Sequence, residues 1–305
     1  MIVAHVTGEP KKVSISNPAH QDLIRVFEKG DSTEDAKPFY EKVLDWINDN
    51  EEMLNALSSS KSIIKEKIAD LFFSSVWPRW EHWTDNKDLV AEHNFLPSSL
   101  SRHISSHLYH DLLEGSDGKV HPEEWYFLPP RRDRFHTGDI FFSDRELYVV
   151  ITPRCDLERK GQGDSILSAK LEDISTDWQE KKSKLHQDIK AIQEQEAKAV
   201  EEGNMQKADK QRNKIDRLYD NFRSDFFGHK RNKTSLHFLP FIRRKNEADL
   251  GPFFVNFDQI TSFEYGSENH TENLKNKVAM VAPEFLPELS QRLGAFIGRI
   301  GSPDY

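Results

Sequence analysis

The sequence predicts an α+β chain. A mainly helical N-terminal domain leads into a β-barrel, which is interrupted by a long antiparallel helical hairpin and closed by a C-terminal helix. Three observations predict this. Up to about residue 119, apolar residues recur at i, i+3 and i+4. Residues 134–152 and 234–281 hold short β-branched and aromatic runs broken by Gly, Pro and Asp. Between those runs, residues 173–226 are rich in Lys, Glu, Gln and Asp, with apolar positions only sparsely placed.

The elements follow in order. Residues 2–6 read as a lone strand, and Leu23, Ile24 and Phe27 as a helix face ending at Lys29-Gly30. Phe39, Val43, Leu44, Trp46 and Ile47 share a helix face that Asp49-Asn50 breaks, and a third helical run covers residues 53–76. Pro78 bends the chain among Trp77, Trp80 and Trp83, whose spacing predicts one packed face. Ser98-Ser99 caps a helix striped with Leu100, Ile104, Leu108 and Leu112. The same helix carries His103, His107 and His110, which read as a polar flank rather than a metal site.

A double proline, Pro129-Pro130, marks a boundary between Lys119 and Arg131, which gives domains of 1–125 and 126–305. Thr137-Gly-Asp139 opens a strand, Ser143-Asp-Arg145 turns the chain, and residues 147–152 form an apolar strand that Pro153 stops. Residues 165–171 make another strand. Trp178, Leu185, Ile189 and Ile192, then Met205, Ala208, Ile215, Leu218 and Phe222, form two narrow seams either side of Glu202-Gly-Asn204. Two such seams cover each other in a projecting hairpin at about 174–226, with oligomer contact as its expected role. Residues 234–242, 252–260 and 278–281 return to strand, with Phe253, Val255 and Phe257 on one face. Pro283 then opens a helix with an apolar face of Leu286, Leu289, Leu293, Phe296, Ile297 and Ile300.

Composition narrows the function. The net charge of −9 argues against non-specific coating of nucleic acid. A single cysteine leaves no intrachain disulfide and no cysteine-rich zinc site. The N-terminus has no signal-peptide pattern, and no apolar run is long enough to span a bilayer, so a cytoplasmic protein is expected. No metal or cofactor is expected.

Four pieces of the second half carry a family resemblance: Thr137-Gly-Asp-Ile140, Leu147-Tyr-Val-Val-Ile-Thr-Pro153, Val255-Asn-Phe-Asp-Gln-Ile260 and Pro283-Glu-Phe-Leu-Pro-Glu-Leu289. In order and spacing, with the hairpin removed, they resemble the MazF/PemK family of SH3-like barrels over about residues 134–172 and 234–300. That family cuts single-stranded RNA as a dimer, without metal, using a basic residue and a hydroxyl-bearing residue near its second and third strands. By this resemblance Arg145 stands at the arginine's place, without the proline that follows it in the family. Glu172 falls where the family's threonine closes the third strand, and Ser168 is the nearest hydroxyl. The Thr152-Pro-Arg-Cys-Asp156 turn and the Arg299-Ile-Gly-Ser-Pro303 ending also resemble a looser group of proteins of bacterial defence loci.

Arg145, Ser168 and Glu172 are therefore the candidate catalytic residues. Candidate binding residues are Arg131, Arg134, Thr152, Arg154, Cys155, Asp156, Lys170, Arg243 and Arg244, and the resemblance implies one barrel face shared by Arg131, Arg134, Arg145, Arg154 and Lys170. Cys155 reads first as a buried small hydrophobe, then as a contact, then as a nucleophile with His136 or His237 as partner. A third, weaker expectation is DNA binding through the basic run 229–245. The altered catalytic positions favour a binding component of a bacterial anti-phage defence or toxin–antitoxin-like system. A homodimer or a partner protein from the same locus is expected, with contact through the hairpin. The alternative is a MazF-like endoribonuclease acting on single-stranded RNA.

Overall fold

In the computed structural model, residues 5–7, 26–28, 38–85, 94–114, 120–227, 234–244 and 247–298 are described. They fall into two units, Met1–Lys119 and Val120–Tyr305.

In the first unit, β1 (His5–Thr7) pairs in parallel with β2 (Val26–Glu28). The helix expected around Leu23 and Phe27 is thus corrected: its described part is a strand. The apolar run is short enough to fit either period, and its distant partner decides. Helix α1 (Phe39–Asp49) gives way to α2 (Glu51–Leu71) at Asn50, whose side-chain amide donates to the Trp46 carbonyl at 2.7 Å. α2 widens into a π turn, Phe72–Val76, and tightens into a 3₁₀ turn, Trp77–Arg79. Pro78 has no N–H to continue the ladder there. The short α3 (Trp80–Thr84) and the long α4 (Phe95–Glu114) follow, with α4 packed on α2.

The tryptophans do not form the packed face expected of them. Trp77 is 60% exposed and Trp80 37%. The change of helix type between 72 and 79 breaks the regular three-residue spacing that would have aligned them.

The second unit is built on a seven-stranded antiparallel sheet. Its strands are β3 (Tyr126–Phe127), β4 (Asp139–Ser143), β5 (Glu146–Val150), β6 (Ser165–Asp173), β7 (Leu236–Leu239), β8 (Phe253–Glu264) and β9 (Lys277–Val281). They lie in the order β3-β9-β4-β5-β6-β8-β7. The sheet does not close as a barrel. Its edge strands β3 and β7 do not pair with each other, and the Tyr126 hydroxyl bridges to the Pro240 carbonyl at 2.7 Å instead. β3 has only two residues, and Pro240 offers no N–H for a closing ladder.

One sheet face packs Ile140, Val149, Ala169, Val255, Phe257 and Val281. Helix α9 (Leu286–Ile297) covers it through Leu289, while Trp125 and Phe285 stack at 4.1 Å beside it. The alternation predicted for Phe253, Val255 and Phe257 is present, and all three are buried. Ile297, assigned to the same apolar helix face, is 66% exposed because it sits on the last turn of α9; Ile300 lies outside the described residues. The opposite sheet face packs Phe135, Phe141, Val150, Ile166 and Phe263. There α8 (Glu268–Lys275) contributes Leu274.

Between β6 and β7 the chain leaves the sheet as α6 (Ser175–Glu201) and α7 (Met205–Phe227). Gly203, at φ +71, makes the turn between them. Ala199 and Ala208 are fully buried near that turn, where small side chains let the helices approach. Gln211 donates to Gln195 at 3.2 Å, and Arg212 pairs with Glu196 at 2.6 Å across the seam. At the root, Trp178 packs on Phe222, Phe226 and Phe238 at ring separations of 5.1, 4.7 and 5.4 Å. A one-turn α5 (Arg154–Leu157) follows Pro153.

Candidate functional site: two depressions beside the first β-hairpin

Ser143 pairs with Glu146 across a two-residue turn made of Asp144 and Arg145. Their φ angles are +49 and +69, the left-handed geometry that matches the twist of a tight hairpin. Both side chains are exposed, and each lines a different depression.

Arg145 lines a cleft of about 350 Å³ whose walls include Phe142, Leu147, Leu171, Leu250 and Phe253. Its rim carries Glu146, Lys170, Glu172 and Asp173. Most of these charges are already committed. Lys170 Nζ donates to Glu146 at 2.5 Å, and Tyr148 Oη donates to the same carboxylate at 3.1 Å. The lysine hydrogen bond holds the Glu146 carboxyl below its ordinary range, and Glu146 raises Lys170 in return. Desolvation, followed by Glu146, raises the Tyr148 hydroxyl. Glu172 accepts from Asn256 at 2.7 Å and from Gln259 at 3.2 Å, while Asp173 accepts from the Ser175 amide at 2.7 Å. Arg145 is the one rim charge with no intramolecular partner among the described residues.

Asp144 lines a smaller pocket of about 170 Å³, together with Tyr148, Ser168, Thr261, Asn269 and Asn273. Ser168 is fully buried and its hydroxyl has no hydrogen-bond partner. Alternation puts Ser168, Lys170 and Glu172 on one side of β6, yet they divide between the two depressions. The structure therefore brings Arg145, Lys170 and Glu172 together and separates Ser168 from them.

The other predicted residues lie elsewhere. Thr152 is buried: its Oγ1 accepts from the Leu167 amide at 2.7 Å, and its carbonyl accepts from Thr137 Oγ1 at 2.6 Å. The threonine before Pro153 thus continues the strand pairing. Arg154 pairs with Glu158 at 3.1 Å on α5. Cys155 is exposed, with Sγ 3.6 Å from Asp156 Oδ1, so the buried-hydrophobe reading is corrected. The one-turn helix carries it away from the strand end. Neither histidine named as its partner touches it: His136 lies beside Asp139, and His237 is buried near Glu288. Arg243 pairs with Glu123 at 3.5 Å, and Arg244 with Glu247 and the Ala248 carbonyl. Of the basic run 229–245, Lys230, Arg231, Lys233 and Lys245 lie outside the described residues. Arg131 and Arg134 sit in the loop before β4 and line neither depression, so the single basic face does not form.

In the first unit His103 lies between Trp83 and His107, at ring separations of 5.1 and 4.4 Å. Burial, then the charge of His107, lowers its pKa. Among the described residues no cluster of three or more metal-binding side chains forms.

Beneath the second sheet face lies an ion pair that sequence reasoning missed. Lys277 Nζ sits 2.7 Å from Asp139 Oδ2, both side chains fully buried, and it also donates to the Arg134 carbonyl at 2.9 Å. The His136 amide donates to the same carboxylate oxygen at 2.5 Å. Burial pushes the Asp139 carboxyl up to about 6, against the opposing pull of Lys277. Burial, then Lys277, lowers His136. A Thr-Gly-Asp strand signals the acid, but nothing local signals the lysine on β9.

No known protein family, curated protein or solved structure matches the chain. No helix among the described residues is long and apolar enough to cross a membrane.

Proposed function

We propose that this chain is a cytoplasmic binding component of a bacterial defence or toxin–antitoxin-like system. It engages a protein partner from its own locus through an SH3-like module in the Val120–Tyr305 unit. The observation that carries this reading is the cleft at Arg145. An apolar floor and one uncommitted cation suit a partner segment that offers apolar side chains beside a carboxylate. The resemblance of the strand motifs to MazF/PemK barrels supports the module type and the defence setting. The exposed Val200 and Met205 at the hairpin tip support a second contact there.

Binding is favoured over cutting for a chemical reason. Lys170 and Glu172, the cleft groups nearest Arg145 in type to an acid–base pair, are held by Glu146, Asn256 and Gln259. The hydroxyl of Ser168 lies in the other depression.

The test is capture of the protein products of neighbouring genes by the purified chain, with Arg145→Ala and Leu250→Asp variants in parallel. A named neighbour retained by the native chain and lost by both variants is expected. Specific cleavage of single-stranded RNA that disappears in Arg145→Ala would replace this reading with the ribonuclease one.

A further inference from the structure

The pocket beside Asp144 has a composition unlike the neighbouring cleft. Its polar lining consists of one carboxylate, several hydroxyls and two carboxamides, and no basic side chain among the described residues reaches it. Ser168 is wholly buried and its Oγ lacks a partner. Asn273, only 5% exposed, lines the same pocket. Buried polar groups are nearly always paired, so the unpaired Ser168 hydroxyl lining this pocket marks the place of an external partner. Phe141 and Phe263 form the apolar wall, and Tyr148 stacks on Phe141 at 5.9 Å.

This inventory selects a ligand. A phosphate or carboxylate would face Asp144 with no cation to offset the repulsion. The hydroxyl and amide oxygens, with Asp144, offer many acceptors. The complementary group is planar, rich in N–H donors, positively charged and able to lie on an aromatic ring. A guanidinium has these properties. The volume of about 170 Å³ is below that of a drug-sized site and suits one side-chain head group.

We infer that this pocket receives the guanidinium of an arginine presented by the protein partner. The inference rests on the binding reading above and deepens it. Asp144 supplies the charge-assisted contact, the buried Ser168 supplies an acceptor that stays unpaired until the arginine enters, and Asn273 lines the pocket beside it. The same two-residue turn then faces a cation in one depression and a carboxylate in the other.

Calorimetric titration of the full chain with argininamide tests it, with citrullinamide, lysinamide and cytidine as separate arms. Citrulline keeps the shape and loses the charge; cytidine represents a neutral ring ligand. Saturable binding of argininamide alone is expected. Asp144→Asn should weaken it about tenfold or more, because a hydrogen bond to a charged group is lost as such. Asparagine tolerates the left-handed backbone at this position, so the turn survives the change. A second variant raises affinity rather than lowering it. Asn269 is exposed in the first turn of α8, where an acid is favoured, and Asn269→Asp should tighten argininamide binding severalfold.

Absence of saturation, equal binding of citrullinamide, preference for cytidine, or indifference to both acidic-site variants would each overturn the inference. Argininamide binding without capture of any neighbour's product would overturn the partner reading and leave the pocket standing. Capture of a neighbour without argininamide binding would do the reverse.

Discussion

Lys277 and Asp139 decide more than their two positions. Each is charged, fully buried and held by the other, so removing one leaves an uncompensated charge in the core. Lys277→Met should cost about 3–5 kcal/mol of stability, and adding Asp139→Leu should restore much of it; urea unfolding of the two variants checks both. The pair also sets a pH dependence. The Asp139 carboxyl titrates near 6 in the folded chain, above its ordinary value. A group with a raised folded pKa contributes stability that is full below its unfolded pKa, here about pH 4, and is lost as pH rises through about 6. Asp139→Asn should flatten that part of the stability profile, measured by thermal melts between pH 4 and 7. Thr152 offers a simpler case. Its hydroxyl accepts the Leu167 amide, so Thr152→Val should cost about 1–3 kcal/mol, seen as a lowered melting temperature.

At the level of elements, strong periodicity was readable and weak periodicity was not. Helix α9 and strand β8 announce themselves by Leu289 and Leu293, and by Phe253, Val255 and Phe257. The paired helices α6 and α7 announce themselves by two thin seams and a Gly203 turn. The run around Phe27 read as helix because its spacing fits a short helix, whereas its parallel partner at residues 5–7 is non-local. The site divided in the same way. Arg145, Lys170 and Glu172 could be named from strand order, but the pocket of Ser168, Asn269 and Asn273 could not. Ser168 read as a hydroxyl on a strand, and only packing of α8 over the sheet joins it to Asn269 and Asn273 as one lining. The root of α6 and α7 is an aromatic cluster centred on Trp178. Trp178→Ala should cost about 3 kcal/mol, and hydrogen exchange should show faster opening at the helix ends near Phe226 while β4 and β5 stay protected.

For the whole molecule, the two units make separate claims. Val120–Tyr305 contains both sheet-face clusters, whereas only Leu71 and Val76 are buried hydrophobics among the described residues of Met1–Lys119. A chain of residues 120–305 should unfold cooperatively by itself in urea, with coincident circular dichroism and fluorescence transitions. Residues 1–119 alone should show a broad, weakly cooperative transition. The open sheet bears on the same scale. With β3 and β7 left as edges, the Tyr126 to Pro240 bond spans the gap beside the Arg243–Glu123 ion pair, and Tyr126→Phe should loosen the edges more than the centre of the sheet.

The helical excursion between β6 and β7 also bears on how the sheet is assembled. Asp173 leaves β6 opposite Phe253, and Leu236 enters β7 opposite Asn256, each on its own side of β8. Those exits are two strand spacings apart, roughly 10 Å sideways. A random coil of this length would carry the entropy of a long closed loop when β7 docks. Two helices that zip together locally return the chain near to where it left, so the search resembles that for a short connection. The seam at Ala199, Ala208, Gln195 and Gln211 thus acts on the rate of strand assembly, and loosening it should slow refolding while the finished sheet keeps its register.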